Sequence, residues 1–152
     1  MIGFLGVPRD YTEAAKWLRK AADQGIAEAQ TNLGNLYLEG HGVSQDDREA
    51  AKLYQKAAEQ GYASGQKKVG NMYHDGTGVT PDYAAAMKWY RKAAEQWDED
   101  AAFNLGIMHY NGEGVAQDYV QAHMWFNVAA VLSSNMNGRV MDSEPRERAV
   151  KA

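Results

Sequence analysis

Residues 27–62 read AEAQTNLGNLYLEGHGVSQDDREAAKLYQKAAEQGY, and this stretch decides the fold. Ala29, Leu33, Leu36 and Tyr37 fall at i, i+4, i+7 and i+8, which is one face of a helix. Gly40-His41-Gly42 ends that helix, because glycine accepts the positive φ that a helix C-terminus asks for. A second helix is predicted from about Asp46 to Gln60, closed by Gly61. Asp46 stands as its N-cap, with Glu49 three residues on in the capping-box position. The face it buries carries Ala50, Leu53, Tyr54, Ala57 and Ala58.

The same pattern returns every 36 residues. Gly34, Gly70 and Gly106 form one column, Gly40, Gly76 and Gly112 another, and Gly42, Gly78 and Gly114 a third. Val7, Val43, Val79 and Val115 align, as do Asp10, Asp46, Asp82 and Asp118, and Ala14, Ala50, Ala86 and Ala122. The pair Ala21-Ala22 returns as Ala57-Ala58, Ala93-Ala94 and Ala129-Ala130. The register cuts a single repeat domain, residues 1–134, into a half repeat 1–26 and full repeats 27–62, 63–98 and 99–134. Residues 135–152 read as a degenerate C-terminal tail or cap, with Asn137, Met141 and Asp142 where Ala, Leu and Gly would recur.

One helical hairpin cannot bury its apolar face alone, and stacked hairpins can. The predicted fold is therefore all-α, an α/α superhelix (solenoid) of antiparallel helical hairpins. The alanine columns allow close helix approach. The columns Trp17/Leu53/Trp89/Trp125 and Leu18/Tyr54/Tyr90/Phe126 fill the space between. Departures from the columns mark local change. Phe4 and Trp97 replace glycines, so both turns are expected to differ from their siblings. Gly65 replaces alanine and should weaken its helix by about 1 kcal/mol. His109 replaces Tyr37 and Tyr73, Val128 replaces the lysine column, and Ser133 replaces the turn glycine.

The residues Ala27-x-Ala29, Leu33-Gly34-x-x-Tyr37, Gly40-x-Gly42-Val43, Asp46, Ala50, Tyr54-x-Lys56-Ala57-Ala58 and Gly61 resemble the Sel-one-like repeat, a tetratricopeptide-like family. The likeness covers about residues 6–132. It implies an α-solenoid of right-handed helical hairpins acting as an adaptor for protein complexes, in bacteria sometimes secreted or periplasmic. A cysteine-rich branch of that family binds or hydrolyses β-lactams; this chain has no cysteine, so those properties are not carried over.

Composition narrows the field further. The 16 basic and 20 acidic residues give −4, against a general nucleic-acid binder, whose affinity comes from basic side chains. The absence of cysteine excludes disulfides and thiolate chemistry. No run of about 18 apolar residues predicts a membrane span. Met1 to Val7 is too short for a signal peptide. The compartment stays open between the cytoplasm and, with an upstream leader removed, the periplasm or exterior.

Chemistry is sparse. His41, His74, His109 and His123 include no i, i+4 pair, so no metal site and no cofactor are predicted. No nucleophile elbow or phosphate loop occurs, and the Gly-x-Gly pairs follow helices as turn residues. Asp98, Glu99 and Asp100 read as favouring a helix start. The aromatic columns read as packing rather than as a base-stacking platform.

Recognition is expected where the columns do not repeat. The face of each first helix opposite the core carries Thr31, Asn35 and Leu38, then Lys67, Asn71 and His74, then Phe103, Ile107 and Tyr110. By resemblance this helix lines the concave side. These residues are the predicted protein or peptide site, with Phe103, Ile107 and Tyr110 as an apolar stripe. A second reading has the tail fold over that stripe as a cap, with Ser143 starting a short helix. The half repeat leaves Trp17 and its alanine face partly uncovered, which allows self-association through the N-terminal end. The function predicted is a non-enzymatic interaction scaffold. A hydrolase of the β-lactamase-like kind and an oligomerisation module of a longer chain are the alternatives.

Overall fold

The computed structural model describes residues 10–141, with side chains through residue 135. It holds seven helices: α1 (Tyr11–Asp23), α2 (Ala27–Glu39), α3 (Asp47–Glu59), α4 (Ala63–Asp75), α5 (Tyr83–Ala94), α6 (Glu99–Asn111) and α7 (Tyr119–Met141). No strand occurs among the described residues. Each helix packs on its neighbours in the chain, and α2 also touches α4. The expected boundaries are met within a residue for the first full repeat. Phe4 and the tail beyond Met141, Ser143 included, lie outside the described residues.

The helix glycines have a packing role that their column alone did not reveal. A Cβ on Gly34 would lie 2.6 Å from the Tyr54 ring, one on Gly70 2.6 Å from Tyr90, and one on Gly106 2.5 Å from Phe126. Each hairpin thus closes by laying the aromatic ring of its second helix against the bare backbone of its first. Tyr54 and Tyr90 are buried, together with Ala50, Ala57, Ala86 and Ala93. The expected second-helix face Ala50, Leu53, Tyr54, Ala57 and Ala58 is wholly buried. Gly42 ties successive repeats together, since a Cβ there would collide with the Tyr11 carbonyl at the start of α1.

The caps form, with one correction. Asp10, Asp46, Asp82 and Asp118 accept bonds from first-turn N–H groups of α1, α3, α5 and α7. The return arm of the capping box is absent: Glu49 pairs with Lys52 at 3.3 Å. The reason lies in the loops. The N–H groups of Asp46, Asp82 and Asp118 already donate to the carbonyls of Tyr37, Tyr73 and His109, so no donor is left for the return arm.

The Trp97 turn corrects another expectation. Trp97 takes φ +71°, beside +84° at Gly25 and +85° at Gly61, and its hydrogen bonds to the preceding helix match theirs. The turn is kept and the strain of a left-handed non-glycine residue is absorbed. At the next equivalent position, Ser133, there is no turn: α7 runs on as one helix to Met141, across the 134/135 boundary drawn from the register.

Candidate protein-interaction site

The nine residues predicted for the concave face are placed very differently by the structure. Thr31 is a correction: it is buried, with its hydroxyl donating to the Ala27 carbonyl at 3.0 Å, and no partner could reach it. A short side chain on a helix flanked by α1, α3 and α4 bonds back to its own turn instead. Asn35 and Asn71 are half-buried, and their Oδ1 atoms accept from the hydroxyls of Tyr54 at 2.7 Å and Tyr90 at 2.8 Å. Burial, together with the negative charge of Glu39, pushes the Tyr54 hydroxyl well above its usual titration range, so it remains a donor. Leu38 packs into the core around Tyr54.

Lys67 and His74 are likewise engaged within the chain. The Lys67 ammonium lies 2.7 Å from Asp100 and 3.4 Å from Asp98, joining α4 to the start of α6. Burial works to lower its pKa, and the hydrogen bond to Asp100 and the two carboxylate charges outweigh it, leaving the value raised. Asp98 also caps α6 through the Ala101 N–H, as the acidic run led one to expect. His74 contacts Asp75 through Nδ1 at 2.7 Å and Glu113 through Nε2 at 3.1 Å. Burial lowers its pKa, and the two carboxylates raise it further, so the net shift is upward.

Only the third set keeps large apolar groups in solvent. Phe103 is 51% exposed and Tyr110 52%, with Ile107 half-buried between them. Each exposed ring rests on a residue of α7 that the sequence pattern had not marked for binding. Phe103 meets Phe126 at 5.3 Å between centroids, and Tyr110 meets Tyr119 at 5.2 Å. Beside Phe103 a groove of about 320 Å³ is lined by Glu99, Asp100, Phe103, Phe126, Ala129, Ala130 and Ser133. Glu99 Oε2 is shielded there without a hydrogen-bond donor among the described residues. The described part of α7 does not cover Phe103 or Tyr110; a cap formed by residues 142–152 lies outside the described residues.

A second repeated feature escaped the sequence reading although its columns are visible there. The buried Gln30 donates to the Ala22 carbonyl at 3.3 Å and accepts from Gln60 at 2.9 Å. Gln66 does the same with Ala58 at 3.3 Å and Gln96 at 2.8 Å. These side chains join three consecutive helices and belong to the scaffold. Of the remaining histidines, His41 is exposed and stacks on Tyr11, whereas His109 is buried with no hydrogen bond to either ring nitrogen among the described residues. No group of three or more His, Asp or Glu side chains able to hold a metal occurs among the described residues. No described helix is long and apolar enough to cross a membrane.

Helical hairpins stacked in register, with glycine-seated rings inside and unequal first-helix faces outside, define a helical-repeat solenoid of the kind that scaffolds protein contacts. The chain belongs to the Sel1 repeat family, whose model matches residues 1–26, 27–62, 63–96 and 99–131. Its fold is similar to that of a protective antigen of uropathogenic Escherichia coli displaying an SLR fold, at 44% identity and TM-score 0.80 over 83% of this chain and 27% of that one. It is also similar to a Sel1 repeat protein from Oxalobacter formigenes, at 41% identity and TM-score 0.80 over 84% of this chain and 52% of that one. Helicobacter pylori cysteine rich protein B is similar at 27% identity and TM-score 0.61, covering 83% of this chain and 96% of that one. The chain thus spans about a quarter and about half of the first two relatives. Among curated proteins nothing matches.

Proposed function

We propose that this chain is a non-enzymatic scaffold that holds a partner polypeptide against α6 and α7, anchored on Phe103 and Tyr110. The observation that carries this reading is the contrast between repeats. In the first two, the equivalent positions are buried or committed to Tyr54, Tyr90, Asp98, Asp100, Asp75 and Glu113; in the third they are two half-exposed rings with Ile107 between them. Exposed aromatics backed by other rings lose little side-chain freedom on binding, and such residues usually dominate interfaces. The adjoining groove adds carboxylates at Glu99 and Asp100, so the partner segment is apolar with a basic or N–H-rich flank. Its donors would satisfy Glu99 Oε2.

The test is peptide selection on the immobilised 152-residue chain, repeated with a Phe103→Ser, Tyr110→Lys variant. Recovery of aromatic or aliphatic peptides with basic flanks, lost in a variant of unchanged helicity, supports the reading. Peptides that bind both proteins equally overturn it. Turnover of nitrocefin or simple esters by the wild-type chain would move the function to the hydrolase alternative.

A further inference from the structure

The outward face of α7 is unlike that of every other second helix. Positions occupied by Thr12, Arg48 and Ala84 in α1, α3 and α5 become Val120. Those of Lys16, Lys52 and Lys88 become Met124, and those of Asp23, Glu59 and Glu95 become Val131. The result is an apolar stripe with Val120 79%, Met124 43% and Val131 58% exposed. The adjoining column is covered elsewhere and bare here. Ala15, Ala51 and Met87 are buried, and so are Ala22, Ala58 and Ala94, whereas their counterparts His123 and Ala130 are exposed. In α1, α3 and α5 this column is where the next hairpin's first helix packs. With Ser133 helical in place of the turn glycine, α7 does not fold back through Met141, and no described helix takes that place.

We infer that a second copy of this chain covers that face, α7 against α7, antiparallel about a two-fold axis. Three observations select this occupant. The face continues the surface by which successive hairpins already stack, so it is shaped to receive a helix. Between Tyr119 and Gly138 the helix carries no Asp, Glu, Lys or Arg in a chain with 36 such residues, so it offers a charged partner nothing to read and another copy nothing to repel. The stripe Val120, Met124, Asn127, Val131 has spacings of 4, 3 and 4, which read the same in both directions. An antiparallel two-fold pair needs that symmetry, because each residue must meet the other's counterpart. Val120 then faces Val131 of the second copy, and Met124 faces Asn127.

Sedimentation equilibrium of the full 152-residue chain tests this. The wild type is expected at twice the 16.8 kDa of one chain at micromolar concentrations. The Val120→Lys, Val131→Lys variant sets like charges opposite one another and should associate about tenfold more weakly or worse. The Val120→Lys, Val131→Glu variant sets opposite charges together and should recover part of the association. Both substituted positions are solvent-exposed in one chain, so helicity is expected to be unchanged, and circular dichroism checks it. A monomeric wild type overturns the inference. So does a dimer indifferent to both variants, or one abolished by Trp17→Ser instead, which would place the contact at the other end. Phe103 and Tyr110 are unchanged in these variants, so peptide selection on them is read as a separate experiment.

Discussion

Changing Tyr54 to Phe removes one oxygen from a ring that is otherwise completely buried, and that oxygen donates to Asn35 at 2.7 Å. A net hydrogen bond contributes about 1 kcal/mol, and orphaning Asn35 Oδ1 adds to the loss, less than for a fully buried acceptor because Asn35 is reached by water. We expect Tyr54→Phe to cost roughly 1–1.5 kcal/mol. Asn35→Ile alone leaves the Tyr54 hydroxyl buried without its acceptor and should cost a similar amount. The two together recreate the pair that the third repeat already uses, since Ile107 stands opposite Phe126 in the same register. The double variant should therefore lie closer to wild type than the sum of the single effects, with a coupling of about 1 kcal/mol. For a chain of this size that coupling corresponds to roughly 2–4 °C in Tm. Thermal and urea unfolding of the four proteins, followed by far-ultraviolet circular dichroism, measures it. Additivity within about 0.3 kcal/mol would refute the reasoning that these positions act as interchangeable pairs.

Trp97→Gly should raise stability by about 0.5–1 kcal/mol, because the exposed indole gives up little burial and the φ of +71° no longer strains a side chain; calorimetry checks this, and a lower Tm would contradict it. Gly70→Ala should destabilise by about 1 kcal/mol or more, since overpacking the buried Tyr90 ring outweighs the gain in helix propensity. The His74 pKa is raised above its ordinary 6.5 on folding, so its contribution is fully present below that value and is lost as pH rises through the folded pKa. Tm should accordingly fall as pH rises above 6.5 more steeply in the wild type than in His74→Gln, and parallel profiles would show that the two carboxylates do not act through this ring.

Much of the fold was legible because repeat packing is local and uses residues with one dominant property. Glycine at 40, 76 and 112 takes a left-handed φ, and aspartate at 46, 82 and 118 caps a helix, whatever surrounds them. The site was less legible for a matching reason. The i, i+4, i+7 pattern places Thr31, Lys67 and Phe103 on one face, but whether such a residue is free depends on side chains elsewhere in the chain. Asp98 and Asp100 lie 31 and 33 residues from Lys67, and Glu113 lies 39 from His74, so no periodicity within one helix announces these pairs. The glutamine links between residues 30 and 60 and between 66 and 96 recur at the repeat spacing and could have been found by asking which polar columns persist.

Paired columns, rather than single ones, set the third full repeat apart from the first two, which bears on the binding proposed for it. Gln30–Gln60 and Gln66–Gln96 are succeeded by Ala102 and Leu132, both buried, just as the Asn–Tyr pairs are succeeded by Ile107 and Phe126. In each case both partners change together, so no buried amide or hydroxyl is left orphaned. Hydrogen-bonded pairs hold a single geometry, whereas apolar contacts are non-directional and tolerate small shifts of one helix on another. The Asn–Tyr and Gln–Gln pairs thereby fix α2 on α3 and α4 on α5, whereas α6 meets α7 through apolar contacts and is tied back to the second repeat by Lys67 and His74. Phe103, Tyr110 and the α7 stripe all lie on this apolar pair of helices. Under the proposed function, a surface that closes on a separate chain gains from contacts that tolerate small shifts at its own end of the array, provided the repeats behind it do not yield.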